Sequence, residues 1–284
     1  MEKRIDLHVH TTASDGTDTP AQAVARAKKL GLAAIAITDH DSITGIPEAL
    51  QAGRELGVEV IPGIEVSADY RGNKAHIVGL FVDHTRADLR PAVEWSVFER
   101  VQRNEKIVGA MAADGFDISL EILNRLYPDS MLGRPHMAEY LMKKGYVSSV
   151  KEAFDRYLGE GCPYYRNKER ISMERAVAAI RESGGIAVVA HPLQYGYSEE
   201  ELICFLQAAR DCGCAALEAY YSEHSPAEQE MLLSVAPGFG LGISGGSDYH
   251  GTRKPAIELG SGMNGGLSIP YSVLTALQTL RPRT

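Results

Sequence analysis

Nine histidines are spread along the 284-residue chain, and most stand at or just after the end of a short apolar run. His8 and His10 lie two apart in Ile5-Asp6-Leu7-His8-Val9-His10, so on an extended strand both rings leave one face and can share a metal ion. Asp15 follows in a Ser-Asp-Gly turn. Thr38-Asp39-His40-Asp41 ends a second apolar run, Gly63-Ile64-Glu65-Val66 a third, and Ala75-His76 begins a fourth. Ala190-His191-Pro192 and Gly246-Ser247-Asp248-Tyr249-His250 come later. A single buried histidine is more often a hydrogen-bonded core residue than a ligand, because one ligand cannot hold a metal. Six or more at the ends of successive strands reverse that reading. Imidazole and carboxylate without thiolate suit manganese, iron or zinc in an open catalytic site better than a closed structural zinc site, which usually recruits cysteine.

Groups so far apart along the chain need a scaffold that gathers strand ends. Short β-branched or apolar runs at 5–8, 34–38, 58–66, 75–81, 186–190, 216–219 and 241–244 read as strands. Helical periodicity at 20–30, 47–56, 173–183 and 199–211 lies between them. Alternating strands and helices predict a barrel-like α/β domain, and barrel enzymes collect functional side chains at the C-terminal ends of their strands. The rhythm breaks at 101–167, where helix signals at 99–113, 119–126, 134–144 and 150–158 follow one another without a strand. The expected division is therefore a barrel from 1–100 and 168–284 with a small helical insert from 101–167.

Bulk properties narrow the class. Hydrophobic residues make up 44% and charged residues 23%, enough apolar material for a sizeable core. A net charge of -8 argues against a broad basic face, so stable duplex DNA binding is not expected. An anionic substrate stays open, because bound divalent cations would dominate the local field. Cys162, Cys204, Cys212 and Cys214 do not form two Cys-x-x-Cys pairs and read as free thiols in a reducing compartment. No apolar run reaches membrane-spanning length, so a cytoplasmic protein without a membrane partner is expected. Neither a nucleophile-elbow nor a phosphate-loop motif is found.

Beyond the ligand candidates, Arg134 and His136 in Gly133-Arg134-Pro135-His136, together with Arg103, could grip a phosphate, although Arg134 and His136 could equally cap the helix that follows. His224 follows a strand end and suits a substrate contact or a general acid for the leaving oxygen, and a solvated loop histidine equally. His84 reads as surface. Asp39 and Asp41 flank His40 and could fix imidazole orientation. Tyr164, Tyr165 and Arg166 could add stacking and charge for a nucleotide, though aromatic residues there also suit packing.

The ordered set Asp6-Leu7-His8-Val9-His10, Thr38-Asp39-His40-Asp41-Ser42, Gly63-Ile64-Glu65, His76, Ala190-His191-Pro192 and Ser247-Asp248-Tyr249-His250 resembles the polymerase and histidinol phosphatase (PHP) family over nearly the whole chain. The resemblance implies a distorted (β/α)7 TIM-like barrel with two or three divalent ions at its C-terminal mouth, manganese first and zinc or iron as alternatives. It implies His8, His10, Glu65 and Asp248 around one ion, Asp15, His40 and His250 around a second, and Glu65, His76 and His191 around a third. The implied reaction is phosphoester hydrolysis by metal-bound hydroxide, with Asp248 and His191 at the catalytic centre and Asp248 orienting or deprotonating the water. The chain looks like the TrpH-like branch, whose members remove the 3'-phosphate from nucleoside 3',5'-bisphosphates. Alternatives are 5'-3' exonuclease action on short RNA or DNA, histidinol-phosphate hydrolysis, and a non-catalytic metal-binding module beside a polymerase.

Overall fold

The computed structural model describes residues 3–128 and 130–282. Its main sheet is built from β1 (Arg4–Val9), β2 (Leu32–Ile37), β3 (Glu59–Tyr70), β4 (Asn73–Leu80), β5 (Ile171–Ser172), β6 (Ile186–Val189), β7 (Ala216–Tyr221) and β8 (Gly242–Gly246), with the two residues Ile269–Pro270 pairing antiparallel to the start of β1. Neighbours run β1-β2-β3-β4-β6-β7-β8, with the two-residue β5 pairing to the side of β3. The ring closes where β8 returns to β1: Val9 bridges Tyr249, the Asp248 amide donates to the His8 carbonyl at 2.9 Å, and the His10 amide to the Tyr249 carbonyl at 2.9 Å. This is the distorted seven-stranded α/β barrel that the alternating pattern and the PHP resemblance imply.

One strand runs backwards. β4 is antiparallel to both β3 and β6, whereas the other neighbours in the ring are parallel. The reversal is made by a tight hairpin at Arg71 and Gly72, both at positive φ (53° and 84°), the geometry whose twist matches that of paired strands. Asp69 accepts from the Gly72 amide at 3.0 Å and braces it. Because β4 starts where β3 ends, His76 near its beginning lies beside Ser67 at the C-terminal end of β3. His76 thus reaches the mouth from the opposite chain direction to every other ligand candidate.

A register shift in β1 matters as much. Asp6 pairs with Ile35 and Val9 with Ile37, three steps against two, which is a bulge that re-aims side chains. Before it, Ile5 and Leu7 pack with Ala34 and Ala36; after it, Val9 packs with Ile37 against the helices α1 (Pro20–Lys29) and α2 (Ile46–Leu56). A regular strand would put Ile5, Leu7 and Val9 on one face.

The chain divides into two compact units, Met1–Val93 with Arg170–Thr284, and Glu94–Glu169. The second is helical: α3 (Arg90–Ala113) runs into it, and α4 (Leu120–Leu126), α5 (Arg134–Lys143) and α6 (Val150–Ala153) complete it, with Ile107, Met111, Leu123, Met137 and Leu141 in its own core. In the barrel unit α7 (Met173–Glu182), α8 (Glu199–Cys212), α9 (Pro226–Val235) and α10 (Tyr271–Thr279) follow. Among the described residues no helix is long and apolar enough to cross a membrane.

Candidate metal centre

Glu65, fully buried on β3, is the hub. Its Oε1 lies 2.6 Å from His76 Nδ1 and 3.1 Å from His191 Nε2; its Oε2 lies 2.8 Å from His40 Nδ1, 3.3 Å from His10 Nε2 and 3.4 Å from His8 Nε2. Asp248 Oδ1 stands 3.2 Å from His10 Nε2, and Asp15 Oδ1 stands 3.3 Å from His250 Nε2. All nine side chains singled out as ligands therefore meet at one end of the barrel. Three groups have donor atoms close enough to share an ion: His8, His10 and Glu65; His10, Asp15, His40 and His250; and His40, Glu65 and His76. The third group has His40 where the PHP resemblance implies His191, whose Nε2 is 3.3 Å from His76 Nδ1.

The donors fit divalent cations on grounds internal to the molecule. His10 Nδ1, Asp15 Oδ1, His40 Nδ1 and Glu65 Oε2 are buried with no hydrogen-bond partner, a costly arrangement that coordination would relieve. Every donor in the three groups is imidazole or carboxylate, and all four cysteines are free thiols outside them.

Electrostatics point the same way. Burial acts to raise the Glu65 carboxyl, but His40, His76 and His8 outweigh it and hold it well below the usual carboxylate range. Burial pushes the His76 ring far down, and His250 down to about 4, leaving both neutral and ready to donate a lone pair. His10 is pushed up to about 9: burial opposes this, but the close carboxylates of Asp248 and Glu65 prevail. A cation binding there would displace that proton.

The backbone is strained at the same place. Asp41, His191 and Asp248 have φ of 51°, 29° and 58°, a region non-glycine residues rarely occupy and which clusters at functional sites. Around the candidate ligands sits a layer of holders. Glu218, fully buried on β7, takes His8 Nδ1 at 2.8 Å with one oxygen and the His191 amide at 2.8 Å with the other. A carboxylate behind a ligating imidazole fixes its tautomer and orientation. The Tyr195 hydroxyl accepts from the His76 amide at 2.8 Å. Glu218→Gln is expected to weaken metal binding or activity by about 10–100-fold, and a manganese titration of the chelator-stripped variant checks it.

Asp39 serves a different part from the one its place beside His40 suggests. Its carboxylate accepts from the Thr11 amide (2.7 Å), the Thr11 hydroxyl (2.8 Å) and the Ser14 hydroxyl (2.6 Å), pinning the loop that carries Asp15. Asp41 accepts from the Ser67 amide at 2.9 Å and its hydroxyl at 3.1 Å. His224 Nδ1 faces the Ala219 carbonyl at 3.1 Å, so its proton sits on Nδ1 and Nε2 is the acceptor; burial lowers its pKa.

The remaining candidates belong to the helical unit. His136 Nδ1 accepts from the Gly133 amide at 3.0 Å, a capping bond at the start of α5. Arg134 donates from Nη1 to the Leu158 carbonyl at 3.0 Å, its guanidinium 5.0 Å from the Tyr165 ring centre. Arg103 donates to Asn104 Oδ1 at 2.8 Å. The Tyr164 hydroxyl donates to Asp114 at 2.6 Å and the ring is buried, a packing position.

The PHP domain model matches residues 6–185. The chain belongs to the PHP domain family. A 5'-3' exoribonuclease of Haemophilus influenzae is 34% identical over 88% of this chain and 91% of its own length. A 3',5'-nucleoside bisphosphate phosphatase of Chromobacterium violaceum is 32% identical over 90% of each. Among solved structures, a Bifidobacterium adolescentis protein classed as a metal-dependent phosphoesterase superposes with a TM-score of 0.86 at 27% identity, covering 99% of this chain and 97% of the other. With the clustered donors, these likenesses make this PHP protein a metal-dependent phosphoesterase.

Proposed function

We propose that this phosphoesterase removes the 3'-phosphate from nucleoside 3',5'-bisphosphates, such as adenosine 3',5'-bisphosphate, giving the 5'-monophosphate and phosphate. The observation that carries the hydrolysis is the clustering of nine imidazole and carboxylate side chains, five of the imidazoles within 3.4 Å of Glu65. The substrate is supported by the likeness to the Chromobacterium phosphatase over nine-tenths of both chains. The Haemophilus exoribonuclease supports a second reading, release of nucleotides from the 5' end of short RNA. The two differ in what the leaving oxygen carries.

In this reading His8, His10, Glu65 and Asp248 hold one ion, Asp15, His40 and His250 a second, and Glu65, His76 and His191 a third, with manganese first and zinc or iron as alternatives. Such ions, when bound, neutralise phosphoryl oxygens and lower the pKa of water. Asp248 divides its carboxylate: Oδ1 faces His10, while Oδ2 receives Lys254 Nζ at 2.6 Å and the Tyr221 hydroxyl at 2.8 Å. Burial acts to raise its pKa, but Lys254 and His250 hold it well below the usual range, so Oδ1 accepts a hydrogen bond from the attacking water and orients it rather than keeping its proton. Neutral His224, with Nε2 as acceptor, suits a substrate hydroxyl and not proton donation. The second phosphate is assigned to Arg134, whose permanently charged planar guanidinium suits bidentate contact with a phosphate. His136 and Arg103 are assigned lesser substrate roles in the same unit.

The test is phosphate release by manganese-loaded enzyme from adenosine 3',5'-bisphosphate, 3'-AMP, 5'-AMP, histidinol phosphate and a 5'-phosphorylated oligoribonucleotide, with a chelated control. Preference for the bisphosphate, lost on chelation, is expected. Mononucleotide release from the oligomer with little bisphosphate turnover would replace the substrate and leave the centre. Arg134→Ala should lower kcat/KM on the bisphosphate by about 10–100-fold, the worth of a charge-assisted hydrogen bond, and on 3'-AMP far less. Equal effects on both would remove Arg134 from the second phosphate.

A further inference from the structure

We propose that the segment Gly251–Lys254, just after His250, is a clasp that positions two acidic ligands of the centre, Asp15 and Asp248, from outside it. The proposal rests on the reading of the cluster as a metal centre and is independent of the nucleotide substrate. Two adjacent side chains reach in different directions. Lys254 Nζ donates to Asp248 Oδ2 at 2.6 Å, and Arg253 Nη1 donates to the carbonyls of Asp15 (2.7 Å) and Gly16 (3.1 Å). One holds a ligand by its outer carboxylate oxygen, the other by the backbone of its loop.

The segment is itself anchored to that loop. Gly251 has φ +67°, and a Cβ there would come within 2.0 Å of Thr17 Oγ1. The Thr252 amide donates to the same oxygen at 2.9 Å. Only glycine allows so close an approach.

The chemistry of the two contacts explains why position should depend on them. With Oδ2 held between an ammonium and the Tyr221 phenol, the Asp248 carboxylate cannot turn about its terminal torsion, and it offers a single oxygen to His10 and the ion beside it. Asp248 also sits at a strained positive φ, which persists only where neighbours over-determine it. On the other side, the carbonyls held by Arg253 set the height of the turn whose Asp15 Oδ1 meets His250 Nε2 at 3.3 Å and His10 Nδ1 at 3.9 Å. The two side chains therefore serve different ions. Lys254 and Arg253 are positioning residues in this proposal and do not touch substrate.

The experiment is a calorimetric manganese titration of chelator-stripped full-length protein, paired with kcat and KM on p-nitrophenyl phosphate, for wild type, K254M, K254R and R253M. Thermal unfolding in chelator checks that each variant folds, with K254Q in reserve for K254M. K254M is expected to weaken one manganese step by about 10–100-fold, the usual cost of losing a partner behind a metal ligand. Its KM should stay near wild type. K254R should restore most of the affinity, and R253M should weaken a different step of the isotherm. Unchanged isotherms in both K254M and R253M would overturn the clasp. So would a K254M isotherm like wild type with raised KM and weaker inhibition by inorganic phosphate, because the ammonium would then contact the substrate. A wild-type protein that takes up no manganese would sink the metal centre and the clasp with it, whereas weak turnover of nucleotide bisphosphates would touch neither.

Discussion

Glu65→Gln is expected to lower kcat by about 10³-fold or more, since losing about 4 kcal/mol of charge stabilisation at a metal site costs that much. Glutamine keeps the shape and removes the charge. It also turns one acceptor oxygen into an NH2 donor, aimed either at His76 and His191 or at His40, His10 and His8, which surround the two carboxylate oxygens at 2.6–3.4 Å. No rotamer of the amide avoids this, because imidazole nitrogens face both oxygens. The loss should therefore appear in metal content as well as rate. Elemental analysis of manganese retained after desalting, beside kcat at saturating manganese, checks it. A variant with wild-type metal content and more than a tenth of the wild-type rate would show that Glu65 is not the hub.

Asp248→Asn should be nearly as damaging, by about 10²–10³-fold in kcat, comparable to deleting one preorganised group that acts on developing charge. The geometry makes asparagine a poor substitute at either end. If its NH2 faces Lys254, it meets an ammonium at the 2.6 Å position; if it faces the cluster, it replaces the oxygen 3.2 Å from His10. A loss confined to kcat, with KM unchanged, marks an interaction made in the transition state. A rise in KM alone, with kcat preserved, would move Asp248 from orienting water to holding substrate.

The residues that cluster at the barrel mouth were readable because a histidine or carboxylate after an apolar run is conspicuous. Strand direction was harder. An alternating pattern looks the same from either end, so β4 was recognisable as a strand and its reversal was not, although Arg71-Gly72 between two strand-like runs is a usable hairpin signal. Glu218 went unnoticed inside Ala216-Leu217-Glu218-Ala219. An acid in the middle of an apolar strand is itself a sign that something buried needs it. Asp39 shows the opposite error, since adjacency to His40 suggested an imidazole partner and the side chain instead holds Thr11 and Ser14. The helices α9 and α10 were also not anticipated, though Ser225-Pro226-Ala227-Glu228 carries the capping-box signature that the structure shows in place. Arg253 ends a single 3-10 turn and Lys254 follows it, a stretch too short for any periodicity to be read.

The way the barrel closes has a consequence for how the protein is made. The seam joining β1 to β8 includes the Ser247 amide on Asp6 Oδ1 at 2.8 Å, a bond between residues 241 positions apart, and the bridge from Val9 to Tyr249 beside it. His8 and His10 are synthesised well before Asp248 and His250, with most of the barrel's sequence between them. Non-local closure of this kind is slow, because the chain loses its loop entropy before the contact rewards it. Until β8 docks, His8 and His10 therefore lack Asp248 and His250 as neighbours, and the donor set is incomplete. If the cluster holds metal ions, its full donor set exists only once β8 docks on β1, so the metal pool at closure, and not during elongation, is expected to set which ions it takes.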